Sequence, residues 1–169
     1  AKNKNSFGIY NIDDDNVEWF LKYPIKNKYK FSIKNDKIDF KLNLIGDFNL
    51  ANALAAATIA KSQGIPDEII KNALEKVKFI PGRLEEIDKD QNFRVIVDLA
   101  HTPDSFEKVF NVFRNLPHNK IISVFGSAGG GRDKWKRPEL GRIASEGSDI
   151  AIICTEDSYN ESEQQIADE

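Results

Sequence analysis

Three short, predominantly apolar runs, Phe93–Val97, Lys120–Phe125 and Asp149–Cys154, are separated from one another by segments of helical periodicity. Strands buried on both faces of a sheet read as near-continuous apolar runs, whereas half-buried strands alternate. Strands joined through helices lie parallel, because a tight hairpin cannot connect them. The pattern therefore predicts an α/β chain with a buried, mostly parallel sheet. Between the first two runs, Phe106, Val109, Phe110 and Phe113 fall on one helical face. Thr102 is placed to cap that helix, with Pro103 at its first position, where a missing N–H costs nothing. A second helix is expected near Pro138–Glu146, and the last residues, through Ala167-Asp168-Glu169, also read as helix.

Upstream of Pro81-Gly82 the pattern differs. Leu50, Ala53, Leu54 and Ala57 share one helical face, and Gly64 ends that helix. Ile70, Ala73, Leu74 and Val77 repeat the spacing, which predicts a second helix from about Pro66 to Lys78. Before them, Phe31-Ser32-Ile33 and Ile38–Leu44 alternate and read as half-buried strands joined by a turn at 34–37. Asp13-Asp14-Asp15-Asn16 reads as a solvated turn, since a calcium loop needs a longer ligand pattern. Pro81-Gly82 marks the candidate boundary between residues 1–80 and 81–169.

Composition narrows the function. With 24 Lys and Arg against 27 Asp and Glu, the net charge of −3 gives no nucleic-acid signature. No apolar run reaches the roughly 18 residues of a membrane span. No signal peptide is evident, and a cytoplasmic protein is expected. A single cysteine, Cys154, excludes an internal disulfide and reads as a small buried hydrophobe at a strand end. No metal site is expected. The chain lacks methionine altogether, and its last residues read as a helix that stops short, so a portion of a longer protein is expected.

Ligands of parallel α/β sheets bind beyond the carboxyl ends of the strands. Three polar segments leave such ends: Asp98–Asp104, Gly126–Lys134 and Thr155–Asp157. Four of the six residues at 126–131 are glycine, so backbone N–H groups there can approach an anion closely. Arg132, Lys134, Lys136, Arg137 and Arg142 against Asp133 and Glu139 give 126–142 a net charge of +3. That composition suits phosphate or carboxylate recognition, although a flexible, solvated loop has the same composition. It is neither a Walker A loop nor a dinucleotide fingerprint, because Arg132-Asp133 stands where Lys-Ser/Thr is required and G-x-G-x-x-G is not met. Asp98 can accept from ribose hydroxyls or serve as a turn residue. His101 can act as a base, stack on a ring, or be structural. His118 reads as surface. Trp135 can pack as a lid or anchor the loop. Residues 143–169 hold eight acidic residues and no Lys or Arg, a solvated face except for Glu156 and Asp157, which can meet an ammonium group.

Four segments in register resemble the Mur ligase family: Gly46–Ala56, Pro81-Gly82-Arg83-Leu84-Glu85, Val97–Asp104, and Phe125-Gly126 through Arg132-Asp133-Lys134 and Lys136-Arg137-Pro138. The resemblance implies the end of a P-loop-type central ATPase domain (1–80) followed by the first part of a Rossmann-like, mostly parallel C-terminal domain (81–169). It implies an ATP-dependent ligase of peptidoglycan synthesis that joins an amino acid to a UDP-N-acetylmuramoyl-peptide through an acyl phosphate. ATP and Mg2+ are the implied cofactors. The P-loop and most magnesium ligands fall outside this stretch, so the stretch alone is expected to be inactive. The implied partners are the UDP-N-acetylmuramoyl-peptide and a free amino acid, with no nucleic acid, no membrane and a monomeric state.

Carried over by position, Asn49 and Asn52 would face adenine and Arg83 the nucleotide phosphates. Asp98 would bind ribose, and His101 would lie against the nucleotide. Arg132, Asp133, Lys134 and Lys136 would line the cleft where the acyl phosphate forms. Arg137 would hold the carboxylate of the incoming amino acid, with Glu156, Asp157, Tyr159 and Glu161 as further substrate contacts. One departure is informative. Family members that add meso-diaminopimelate carry Asp-Asn-Pro-Arg where this chain has Glu156-Asp157-Ser158-Tyr159. A tyrosine cannot form a bidentate ion pair with the distal carboxylate, so an amine-bearing side chain such as lysine is expected instead. Ligases of the cyanophycin and folylpolyglutamate type share the scaffold. The same residues are compatible with a non-catalytic nucleotide-binding module, or with a generic Rossmann-like protein that carries a charged loop.

Overall fold

The computed structural model describes residues 6–169. The chain divides into two units, Ala1–Val97 and Asp98–Glu169.

In the first unit, β1 (Phe7–Asn11) and β2 (Asn27–Phe31) pair in parallel across the short α1 (Val17–Leu21). Helices α2 (Asp47–Ser62) and α3 (Asp67–Lys76) follow, as their apolar spacing predicts. Asn49, Ala53, Leu54 and Ala57 form the buried face of α2. The alternating segments at 31–33 and 38–44 do not form the expected hairpin. Phe31 ends β2, and no strand covers 38–44. Local hydrogen bonds compete with a ladder there. Asp13 accepts from Ser32 Oγ (2.7 Å) and from the Ile33 N–H (2.6 Å), and Asp36 accepts from the Ser32 N–H (2.9 Å). Asp13 thus clasps this turn. Beyond it, Lys41 N–H donates to Glu75 and Asn43 Nδ2 donates to the Glu75 and Val77 carbonyls, which ties the segment to the end of α3.

Strands β3 (Glu85–Ile87) and β4 (Val95–Val97) form an antiparallel hairpin. The first apolar run is expected in the parallel sheet. Among the described residues it pairs instead with β3, and Arg94 donates to both carboxylate oxygens of Glu86 at 2.7 and 2.8 Å across the hairpin.

In the second unit, α4 (Pro103–Arg114) precedes β5 (Ile122–Phe125), followed by α5 (Lys136–Gly147), β6 (Ile150–Ile153) and α6 (Glu163–Asp168). Strands β5 and β6 pair in parallel, with Ile122 opposite Ile150 and Phe125 opposite Ile153. Thr102 and Ser105 cap α4 reciprocally: Thr102 Oγ1 accepts from the Ser105 N–H, and Ser105 Oγ accepts from the Thr102 N–H. The core joins Phe106 and Phe110 of α4 to Leu140, Ile143 and Ala144 of α5, with Ile121 and Phe125 against it. Phe106 meets Phe110 and Phe125 edge to face. Gly147 lets α5 approach α4, because a Cβ there would lie 2.5 Å from the Phe110 ring. The strands are not buried on both faces as their apolar runs imply. Val124 is 63% exposed, and Ile122, Ile150, Ile152 and Ile153 are exposed as well. Cys154, expected to be buried, is exposed. No helix among the described residues is long and apolar enough to cross a membrane.

Candidate functional site

The glycine-rich loop leaves the carboxyl end of β5 and lies directly on the segment that leaves β6. A Cβ on Gly126 would fall 2.5 Å from the Cys154 carbonyl oxygen, and one on Gly129 only 2.2 Å from that of Ser158. Gly130, at φ +70°, lies under the ring of Tyr159. The glycines thus allow two backbone segments to touch. Gly129 N–H donates to the Asp157 carbonyl (2.8 Å), and Gly131 N–H donates to Glu161 Oε1 (3.3 Å). Two of the N–H groups read as anion donors are therefore already occupied within the chain, and the loop is anchored.

The basic residues separate into two groups. Lys134 Nζ lies 2.6 Å from Glu161 Oε2. Arg137, on the first turn of α5, donates from both terminal nitrogens to the same oxygen at 3.2 Å. It also donates to Glu169 at 2.5 Å and to the Ala128 carbonyl at 3.2 Å. Its side chain is 2% exposed, and its Nε is buried without a partner. By contrast, Arg132 and Asp133 are exposed and make no side-chain hydrogen bond or ion pair with the described residues. Lys136 is buried and likewise has no ion pair among them. Trp135 is exposed.

These contacts set the electrostatics. Lys134 first, then Arg137 and the Gly131 N–H, push the Glu161 carboxyl down to about 2 from its ordinary 4.5. Since the folded value lies below the ordinary one, the stability this group contributes is complete above about pH 4.5 and is lost as pH falls through about 2. Burial opposes the charge of Arg137, but hydrogen bonds to Glu161 and Glu169 outweigh it and raise its pKa.

Beside this cluster, a cavity of about 350 Å³ opens between the end of β6 and α6, lined by Ser127, Cys154, Thr155, Glu156, Ser158 and Glu163 among others. Ser127 Oγ is buried there without a partner. Glu156 and Tyr159 are exposed, and Tyr159 adopts a left-handed backbone at φ +55°.

The remaining sequence-derived residues are distributed over both units. At the end of β4, Asp98 is half-buried and accepts from the Ala100 N–H at 2.7 Å, the turn role open to it. His101 is exposed, with Nδ1 3.1 Å from the Leu99 carbonyl. In the first unit, Asn49 is buried and its amide donates to the Ile45 carbonyl at 2.8 Å, whereas Asn52 is exposed. Arg83 is exposed behind the Pro81-Gly82 turn and contributes to a cavity of about 700 Å³ with Phe79, Leu84, Glu86 and Arg94.

The structure therefore brings together Lys134, Arg137, Glu161 and the backbone of Asp157. Sequence reasoning missed Glu169 and Ser127. Spacing carries no signal that pairs Glu169 with a residue 32 positions away. Among the described residues, no cluster of three or more His, Cys, Asp or Glu could hold a metal ion.

The family model "Mur ligase, glutamate ligase domain" matches residues 82–169. The chain is 50% identical over 119 residues to the UDP-N-acetylmuramyl-tripeptide synthetase of Roseiflexus sp. (strain RS-1), covering 70% of this chain and 23% of that protein. It is 36% identical over 187 residues to the UDP-N-acetylmuramoyl-L-alanyl-D-glutamate--2,6-diaminopimelate ligase of Syntrophomonas wolfei, covering 96% and 38%. A solved structure of a ligase with that same name aligns with a TM-score of 0.53 at 25% identity, covering 96% of this chain and 39% of the other. MurF from Acinetobacter baumannii shares the fold, with a TM-score of 0.64 at 20% identity over 88% of this chain and 42% of that one. The chain spans 23% to 38% of the length of these two curated relatives.

Proposed function

Since this chain belongs to the Mur ligase family, we propose that the full-length protein is an ATP-dependent ligase of peptidoglycan synthesis. It joins a free amino acid to a UDP-N-acetylmuramoyl-peptide in the cytoplasm, as a monomer. Residues 1–80 are the end of its central ATPase domain, and residues 81–169 the first part of its C-terminal domain. The observation that carries this reading is the cationic array behind β5. Exposed Arg132 and buried Lys136 flank the Lys134–Arg137–Glu161 cluster in the segment that follows a parallel strand pair. Cations held in place without reorganisation are what stabilise charge developing on a phosphoryl group and on the carboxylate that accepts it.

The nucleotide roles of Asn52 and Arg83 in the first unit, and of Asp98 and His101 in the second, follow the resemblance position by position. Each presents an exposed or half-buried polar group of the kind a nucleotide needs: an amide for the base, a guanidinium for phosphates, a carboxylate for ribose hydroxyls, and an imidazole against the ring. Asn49, by contrast, is enclosed and its amide is engaged by Ile45, so its role is to shape the start of α2. ATP, when bound, supplies the phosphoryl group that activates the carboxylate. Mg2+, when bound, would offset charge on the transferring phosphoryl group. Arg83→Ala and Asp98→Ala should each weaken ATP binding by about 1.5–3 kcal/mol, as expected for a lost charge-assisted hydrogen bond. Calorimetric titration of the full-length variants measures this, and unchanged affinity in both would remove the nucleotide assignment.

For the incoming amino acid we assign lysine, or another side chain ending in an amine, in preference to meso-diaminopimelate. By the resemblance Tyr159 takes the position of the arginine that grips a distal carboxylate; its ring packs on Gly130, and Glu156 is exposed and acidic. Phosphate release by the full-length protein, with UDP-N-acetylmuramoyl-dipeptide and ATP, should depend on the added amino acid and favour lysine. A strong preference for diaminopimelate would overturn the amino-acid assignment. No amino-acid-dependent release at all would overturn the ligase reading.

A further inference from the structure

Within the ligase reading, we propose that Glu161 is a positioning residue: an internal anion that fixes the glycine-rich loop and holds Lys134 and Arg137 in one array, and not a ligand of the incoming amino acid. The resemblance alone places Glu161 among the substrate contacts. Its surroundings in the fold assign it differently.

Four donor atoms converge on this one carboxylate. Lys134 Nζ approaches at 2.6 Å, the two terminal nitrogens of Arg137 at 3.2 Å each, and the Gly131 N–H at 3.3 Å. Three of these donors crowd Oε2, more than its two lone pairs, and the Gly131 N–H takes one of the two on Oε1, so most of the accepting capacity of the carboxylate is used within the chain. The side chain is only 12% exposed. A substrate ammonium group would have to reach this enclosed carboxylate past two cations that already face it, and displacing either donor from Oε2 would leave a charge without its partner. Glu161 therefore does for the loop what a bound anion does in a phosphate-binding loop. It collects a backbone N–H, a lysine and an arginine around one negative group, but it does so permanently and from within the chain.

Lys134 and Arg137 are neutralised by Glu161 and Glu169, so recognition of a substrate anion by the segment 126–137 falls to its other two cations, Arg132 and Lys136, which have no ion pair with the described residues. The geometry of Arg132 in turn depends on Gly131, whose N–H is held by Glu161. The low pKa of the carboxyl agrees with a permanently charged group at all but very acid pH.

The test uses the full-length protein carrying Glu161→Gln, which keeps size and one acceptor but removes the charge, and Glu161→Asp, which keeps the charge on a shorter stem. Amide hydrogen exchange of the substrate-free protein is followed across residues 126–136. Loss of the anchor should raise exchange at Gly129 and Gly131 by about tenfold or more in Glu161→Gln, with Glu161→Asp between it and wild type. In steady-state kinetics Glu161→Gln should lower kcat by about tenfold while changing KM for the amino acid by less than about threefold. Unchanged exchange together with a rise of about tenfold or more in amino-acid KM would overturn the proposal and make Glu161 a substrate ligand. If no amino acid supports turnover, the ligase reading fails, and the exchange measurement alone still decides whether Glu161 anchors the loop.

Discussion

Replacing Gly129 by alanine should cut ligase turnover of the full-length protein by about a hundredfold, because a displacement of about 1 Å at a positioned catalytic group is enough for a loss of that size. The added Cβ would fall 2.2 Å from the Ser158 carbonyl oxygen and 2.9 Å from its carbon. Both atoms are backbone, so no flexible side chain can yield. The loop would have to lift, which breaks the Gly129 N–H bond to Asp157 and carries Gly131, Arg132 and Lys134 with it. Gly131→Ala is the informative comparison. Nothing lies within 4 Å of a Cβ there, so the only cost is the left-handed backbone at φ +76°. That penalty is about 1–2 kcal/mol and leaves the docking contact at Gly129 in place. Phosphate-release kinetics should therefore rank wild type above Gly131→Ala and Gly131→Ala above Gly129→Ala. Wild-type turnover in Gly129→Ala would mean that the loop does not work in the docked form.

The contrast between these two glycines also shows where the sequence is informative. A run of four glycines among six residues marks a loop, and its place after an apolar run puts it at the carboxyl end of a strand, where it is found after β5. The run does not show which glycine permits close approach and which permits a turn, because that depends on the Ser158 backbone and the Tyr159 ring brought in after the next strand. Helices were legible for a related reason. The faces of α2 and α4 and the Thr102-Pro103 start of α4 are encoded within a few residues of one another. Strand partners were not. Three-residue strands such as β4 carry too little pattern to show whether the partner is the next apolar run or the hairpin strand before it. The missing strand at 38–44 has the same origin, since the Asp13 clasp and the Glu75 bonds that override its alternation come from 20 and more positions away. Charge misled in a similar way. The acidic stretch at 143–169 reads as solvated surface, yet Glu161 and Glu169 are the counter-ions of a buried arginine.

Leu140→Ala should produce the largest loss of stability, about 2–5 kcal/mol, as expected for a truncated leucine in a packed core. Leu140 is 2% exposed and lies at the centre of the cluster formed by Phe106, Phe110, Ile143 and Ala144. The position also bears on the site. Residues three apart share a helical face, so Arg137 and Leu140 lie on one stripe of α5 that continues through Ile143, Ala144 and Gly147. The apolar part of that stripe holds the helix against α4, and the first turn carries the buried guanidinium to Glu161, Glu169 and the Ala128 carbonyl. Emptying the Leu140 position loosens the anchor of Arg137 without touching any charged group. Native-state hydrogen exchange of the full-length protein should show the loss across α4 and α5 and, with it, faster exchange at Gly129 and Gly131. Leu140→Met, which conserves volume, should cost less than about 1.5 kcal/mol and leave the loop protected. A loss below about 1 kcal/mol in Leu140→Ala would contradict a packed core at this position. A full loss in α4 and α5 with an unchanged loop would show that Glu161, and not the helix, is what holds the cationic array in place.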